Sequence, residues 1–183
     1  QEGFEIVDKA DEVEIAYFKA GLEEFRLVIN KNGGISRVFI HQIPYLEACG
    51  IRIAADIVEH QTTYSDAVEP PVIRKSGDGS YVEATFHGKY RNAEIYFETN
   101  YTISKTGLVL ISLLTESRRD ELSVTQTTWS THYPISIFKN EKMLIGLENE
   151  VKEYTLPKEV TSGAIFNTQS TVYWIDVSKG AEG

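Results

Sequence analysis

One stretch, residues 92–116, constrains the fold more than any other. Ile95, Phe97, Thr99, Tyr101 and Ile103 fall on one side of an extended chain, and Glu94, Tyr96, Glu98, Asn100 and Thr102 fall on the other. A period of two marks a strand with one buried face. Ser104-Lys105-Thr106-Gly107 then supplies a short polar loop whose final glycine suits a left-handed turn position. Residues 108–114 run apolar on both faces, as a strand inside a packed sheet does. This hairpin is therefore predicted to be the centre of a β-sandwich.

The rest of the chain repeats the pattern in shorter pieces. Strands are expected at 4–7, 13–18, 25–29, 35–40, 51–58, 81–87, 122–132, 135–138, 143–145, 151–156, 164–167 and 171–177. Residues 22–25 are open to either helix or strand. Asn30-Lys31-Asn32-Gly33-Gly34 is the strongest turn, and residues 75–79 form a second one. No segment keeps a helical period over three turns. Residues 59–76 show no period at all and read as a loop of about 15 residues, a length that often carries function. The expected fold class is all-β: a two-sheet antiparallel β-sandwich. The 183 residues suit one domain, 1–183. A chain that begins at Gln1 also fits a fragment or one domain of a longer protein, with neighbouring domains as partners.

The formal net charge of −9 repels phosphate backbones and anionic lipid, and no basic cluster exceeds the pair Arg118-Arg119. Neither nucleic acid nor a membrane is an expected partner. No apolar run reaches the roughly 18–20 residues that cross a bilayer. Cys49 is the single cysteine, which excludes an internal disulfide and a cysteine zinc site and reads as a small buried hydrophobe. The compartment stays open, with the reading leaning to an extracellular one.

Candidate chemistry is sparse. The four histidines, His41, His60, His87 and His132, show no metal-ligand spacing, so neither a metal nor a cofactor is expected. His132 stands out because Trp129 and Tyr133 flank it in a strand rich in Thr and Gln. Aromatic faces stack on the apolar face of a pyranose, and hydroxyl, amide and imidazole groups bind its hydroxyls. Imidazole also titrates near neutrality and can act as acid or base. The competing reading is a half-buried structural histidine. Glu94 and Glu98 would lie about 13 Å apart on one strand face. Glycosidase carboxylates need about 5 to 9.5 Å, so that pair does not make a glycosidase. No nucleophile elbow, phosphate loop or dinucleotide fingerprint is present. Asn100-Tyr101-Thr102 matches the N-glycosylation sequon, which is common by chance.

Two stretches resemble the galactose-mutarotase-like superfamily. Asn30 to Phe39 (Asn-Lys-Asn-Gly-Gly-Ile-Ser-Arg-Val-Phe), followed by Ile43-Pro44-Tyr45-Leu46-Glu47, is similar to its early strand-turn-strand. Tyr101-Thr102-Ile103-Ser104-Lys105-Thr106-Gly107-Leu108-Val109 resembles its hairpin, and Thr131-His132-Tyr133-Pro134 falls where such domains carry a catalytic histidine. The resemblance covers about residues 20–140. It implies a supersandwich found in sugar epimerases, polysaccharide lyases and accessory domains of glycoside hydrolases. The departures are specific. Arg52 lacks the preceding Asn of mutarotases, the nearest second histidine is His60, and the 183 residues are shorter than a typical member, whose catalytic Glu comes late in the chain.

Three readings follow. The first is a carbohydrate-recognising domain of a carbohydrate-active enzyme, with Trp129, His132 and Tyr133 lining a groove, His60 and Tyr64 at its rim, and Arg52 as a further contact. The second is a sugar epimerase or lyase with His132 as acid/base. The third is a structural or adhesive sandwich without sugar chemistry. In the first reading, the outward residues Tyr96, Glu98 and Asn100 extend the face that carries Trp129 and His132.

Overall fold

The computed structural model describes residues 2–55, 58–61, 65–90, 94–118, 124–132, 134–159, 168 and 170–177, with the backbone alone for 48–55, 58–61, 124–131 and 135. Nearly everything described is antiparallel β-structure. The chain divides into two compact units, Gln1–His132 and Tyr133–Gly183.

In the first unit, β1 (Gly3–Asp8), β2 (Glu12–Lys19), β3 (Leu22–Asn30), β4 (Ile35–Ile40), β5 (Ile43–Leu46), β6 (Ala48–Ala55) and β7 (Val58–Gln61) belong to one sheet. A second sheet takes β8 (Ser65–Ala67), β9 (Val72–Lys75), β10 (Tyr81–Tyr90), β11 (Ile95–Ser104) and β12 (Val109–Ser117). β13 (Val124–His132) then returns to the first sheet, beside β6. The orders are β1-β2-β3-β4-β6-β13, with β5 on β4 and β7 on β6, and β12-β11-β10-β8, with β9 also on β10.

One hydrophobic cluster draws on both sheets. Val13, Ile15, Phe25, Leu27 and Ile29 come from the first, and Val82, Phe86, Tyr101 and Ile103 from the second. Each large side chain fully buried this way contributes about 1.5–3 kcal/mol. The alternation read from sequence is the alternation observed: Ile95, Phe97, Thr99, Tyr101 and Ile103 are all buried. Two polar contacts also link the sheets. The Tyr101 hydroxyl donates to the Gly33 carbonyl, and Lys75 Nζ donates to the Phe4 carbonyl at 2.6 Å. The Asn30–Gly34 turn docks here because Gly33 (φ 95°) places its backbone against Thr99 and Phe86.

Three expectations are corrected. β12 is not central: among the described residues it pairs with β11 alone, and Leu108, Leu110 and Leu114 are about 60% exposed. Its two-faced apolarity belongs to an uncovered edge, which sequence alone does not separate from a buried centre. Residues 59–76 are not one loop. They hold β7, β8 and β9, edge segments too short for alternation to register. Residues 135–138 form a helical turn rather than a strand. Pro134 starts it, and its carbonyl accepts from the amides of Ile137 (3.0 Å) and Phe138 (3.2 Å). The strand expected at 164–167 lies outside the described residues.

The second unit has that turn, α1 (Ile135–Phe138), and the strands β14 (Lys142–Leu147), β15 (Val151–Thr155) and β16 (Val172–Val177). They form a three-stranded antiparallel sheet with β14 in the middle. Ile145 and Phe138 are its buried apolar anchors.

Candidate functional site

The richest polar constellation lies on the outer face of the five-stranded sheet. In β10 the even positions Val82, Ala84 and Phe86 are buried, so Thr85, His87 and Lys89 occupy the outer face. Register sets Thr85 opposite Asn100, His87 opposite Glu98 and Lys89 opposite Tyr96. The side chains join along that row. Thr85 Oγ1 donates to Asn100 Oδ1 (2.6 Å), Asn100 Nδ2 donates to Glu98 Oε1 (2.6 Å), and Glu98 Oε2 lies 3.0 Å from His87 Nε2.

Glu69 closes the row from the other side, 2.7 Å from His87 Nδ1. It reaches His87 because the strand edge is interrupted there. β8 pairs with Gly88–Tyr90 and β9 with Val82–Thr85, so the chain between them leaves the ladder beside Phe86 and His87. Pro70 and Pro71 lack the N–H groups that a continuous strand requires. The Val68 amide ties the segment down through the His87 carbonyl at 3.1 Å.

The electrostatics follow from this arrangement. Glu98 is held below the usual carboxylate range, first by the Asn100 amide and then by His87. His87 Nδ1 is buried and makes no hydrogen bond, so Glu69 stands beside it without a directed bond. The carboxylates are partly solvated, and each such pair is worth about 0–1 kcal/mol. Next in the row, Tyr96 carries the Arg118 guanidinium 3.9 Å from its ring centre, and Lys89 Nζ at 5.2 Å. His87, Glu98, Glu69, Tyr96 and Arg118, with Leu114 and Glu116, line an open groove of about 380 Å³.

A second groove of about 640 Å³ shares Val68 and Glu69 with the first and runs on past Asn30, Lys31, Asn32 and Asp66. Asn32 is fixed there. Its Nδ2 donates to the Ser65 carbonyl (3.2 Å) and hydroxyl (3.0 Å), and its Oδ1 accepts from Gly34 N–H (3.1 Å). The combined trough offers donors, acceptors and one imidazole. Among the described residues, no group of three His, Cys, Asp or Glu side chains is placed to hold a metal ion.

The residues singled out from sequence lie on the other sheet. His132 ends β13, is exposed, and accepts the Glu47 amide at its carbonyl (3.0 Å). Trp129 pairs with Ile51, and Arg52 lies between Thr128 and Gln61. His60 lies in β7, opposite Ile53, and not on a loop. Tyr64 and Tyr133 fall outside the described residues. By register, positions 129 and 60 share one face of this sheet while 132 and 52 share the opposite one. Register thus places positions 129 and 132 on opposite faces of β13. Tyr96, Glu98 and Asn100 belong to the five-stranded sheet and do not extend the β13 surface.

A strand expected to stop at 87 gives His87 no partner. β10 in fact runs to Tyr90. The missing signal was the hairpin register, which puts His87 directly across from Glu98. Compared with known proteins, the chain matches no family model and no curated protein.

Proposed function

We propose that the chain is a carbohydrate-recognising domain, a two-sheet antiparallel β-sandwich of the galactose-mutarotase-like kind and one part of a carbohydrate-active enzyme. The cluster drawn from both sheets supports the sandwich, and the quoted motifs support the family. One observation carries the recognition: Glu98, His87 and Glu69 line an open groove, and Asn100 and Thr85 continue their hydrogen-bonded row beyond it. Sugar hydroxyls both donate and accept, and a row mixing amide, imidazole and carboxylate groups answers both needs. The carboxylate excess favours neutral over anionic sugars. The test is a glycan array followed by calorimetry. H87A and E98Q are expected to weaken binding at least about tenfold, roughly 1.4 kcal/mol. Absence of binding to any glycan leaves a structural sandwich in its place.

A second reading, sugar epimerase or lyase catalysis, is favoured by the His87 imidazole hydrogen-bonded to Glu98, a carboxylate–imidazole pair of the kind that orients a general acid or base. His132 is the competing acid/base. Turnover on any bound glycan that survives H132A and is lost in H87A assigns the proton transfer to the groove. The reverse pattern assigns it to β13.

A further inference from the structure

We propose that the outer face of the three-stranded sheet is a separate carbohydrate site, a one-aromatic platform on which a neutral pyranose stacks against Trp174. It shares a ligand class with the groove and needs none of the groove's residues.

The platform is built by a glycine. Gly146 and Trp174 are direct partners across β14 and β16. A Cβ at position 146 would fall 2.2 Å from both Cε2 and Nε1 of Trp174 and 2.7 Å from Cδ1. The nearest three atoms are all in the five-membered ring, so that half of the indole lies flat across the glycine backbone. One π-face is pressed on the sheet, and Gly146 is buried beneath it. Trp174 is nevertheless 45% exposed. A large apolar ring held flat with its second face in water is unfavourable for folding alone and suits a ligand with a flat C–H surface.

The neighbours narrow the ligand. In the next row on the same face, Asp176 and Glu153 flank Leu144. Strand spacing places that row about 7 Å along the sheet from Trp174, within the span of one sugar ring. Lys142 pairs with Glu153 at 2.8 Å. The face thus carries two carboxylates and one ammonium around an aromatic floor. That composition binds hydroxyls and repels uronates, sulfated sugars and nucleotides. A bulge between Gly146 and Leu147 leaves Tyr173 without a ladder partner, 63% exposed at the end of the platform. Bulges of this kind re-aim side chains beside binding sites.

The test titrates the whole chain with soluble β-1,4-glucan, β-1,3-glucan, β-mannan and β-galactan, with polygalacturonate as the anionic control. Binding is read by affinity electrophoresis and calorimetry, and folding by circular dichroism. At least one neutral glycan is expected to bind the wild type. W174A should weaken it at least about tenfold, and W174F by less. G146A, which lifts the ring without removing it, should also weaken binding and covers the case in which W174A fails to fold. The inference is overturned if W174A and G146A bind every glycan as the wild type does, if no neutral glycan binds, or if polygalacturonate binds best through Trp174. H87A and E98Q separate the two sites. Loss in W174A alone supports the platform and removes the groove reading, and loss in H87A and E98Q alone does the opposite.

Discussion

The contact between Gly33 and the facing sheet can be measured. Gly33 has φ 95°, a left-handed conformation that L side chains rarely adopt. An added Cβ would lie 3.0 Å from Thr99 Oγ1, 3.1 Å from Phe86 Cβ and 3.2 Å from Thr99 Cβ. These neighbours are buried, Phe86 completely, so they have little room to yield. Two costs therefore add in G33A. Left-handed strain is about 1–2 kcal/mol, overpacking about 1–3 kcal/mol, and the total about 2–5 kcal/mol. Gly21 is the control. Its φ is 82° with nothing within 4 Å of an added Cβ, so G21A carries the strain alone. Urea unfolding followed by tryptophan fluorescence should show both midpoints falling with unchanged slope, G33A further by about 1–3 kcal/mol. T99A in the G33A background should recover part of the difference, because it removes the closest atom. Equal losses in G33A and G21A would refute the close approach of this turn to the second sheet.

Three further outcomes are expected. Y101F removes the hydroxyl that donates to Gly33 and should cost about 1–2 kcal/mol by the same unfolding measurement. Because Glu98 is depressed below its ordinary value of 4.5, its contribution is present above that pH and lost as pH falls through the lower folded value. The melting-temperature gap between wild type and E98Q should therefore hold above pH 4.5 and close below it. A gap that widens on acidification contradicts the assignment. L110K, on the exposed edge strand, should change stability by less than about 0.5 kcal/mol. It should also raise the temperature at which light scattering reports aggregation, by charging the edge.

Much of the first unit was legible from the sequence. The strict alternation of Ile95 to Ile103 gave both the strand and its buried face, because a half-buried strand leaves no other pattern. The Asn30–Gly34 turn was equally plain from its composition. Pairing was not. Leu108 to Leu114 looks central because apolarity on both faces does not say whether a neighbour covers them. Residues 59–76 read as loop because strands of three and four residues contain no period to detect. The candidate site was missed for the same reason. His87, Glu98 and Glu69 are meaningful only once register and a strand break bring them together. Trp129 and His132, adjacent in reading, are three residues apart in one pleated strand and so fall on opposite faces.

Glu69 owes its place to a segment that cannot join the sheet. Pro70 and Pro71 keep Val68–Pro71 out of the ladder, and one backbone bond, from the Val68 amide to the His87 carbonyl, joins it to β10. The groove therefore has a hinged wall. Lifting that wall breaks about one hydrogen bond, roughly 0.5–1.5 kcal/mol, and the Glu69–His87 contact, about 0–1 kcal/mol, rather than unzipping a strand. A ligand larger than the resting groove can push Glu69 aside and leave β10, β11 and the imidazole where they stand.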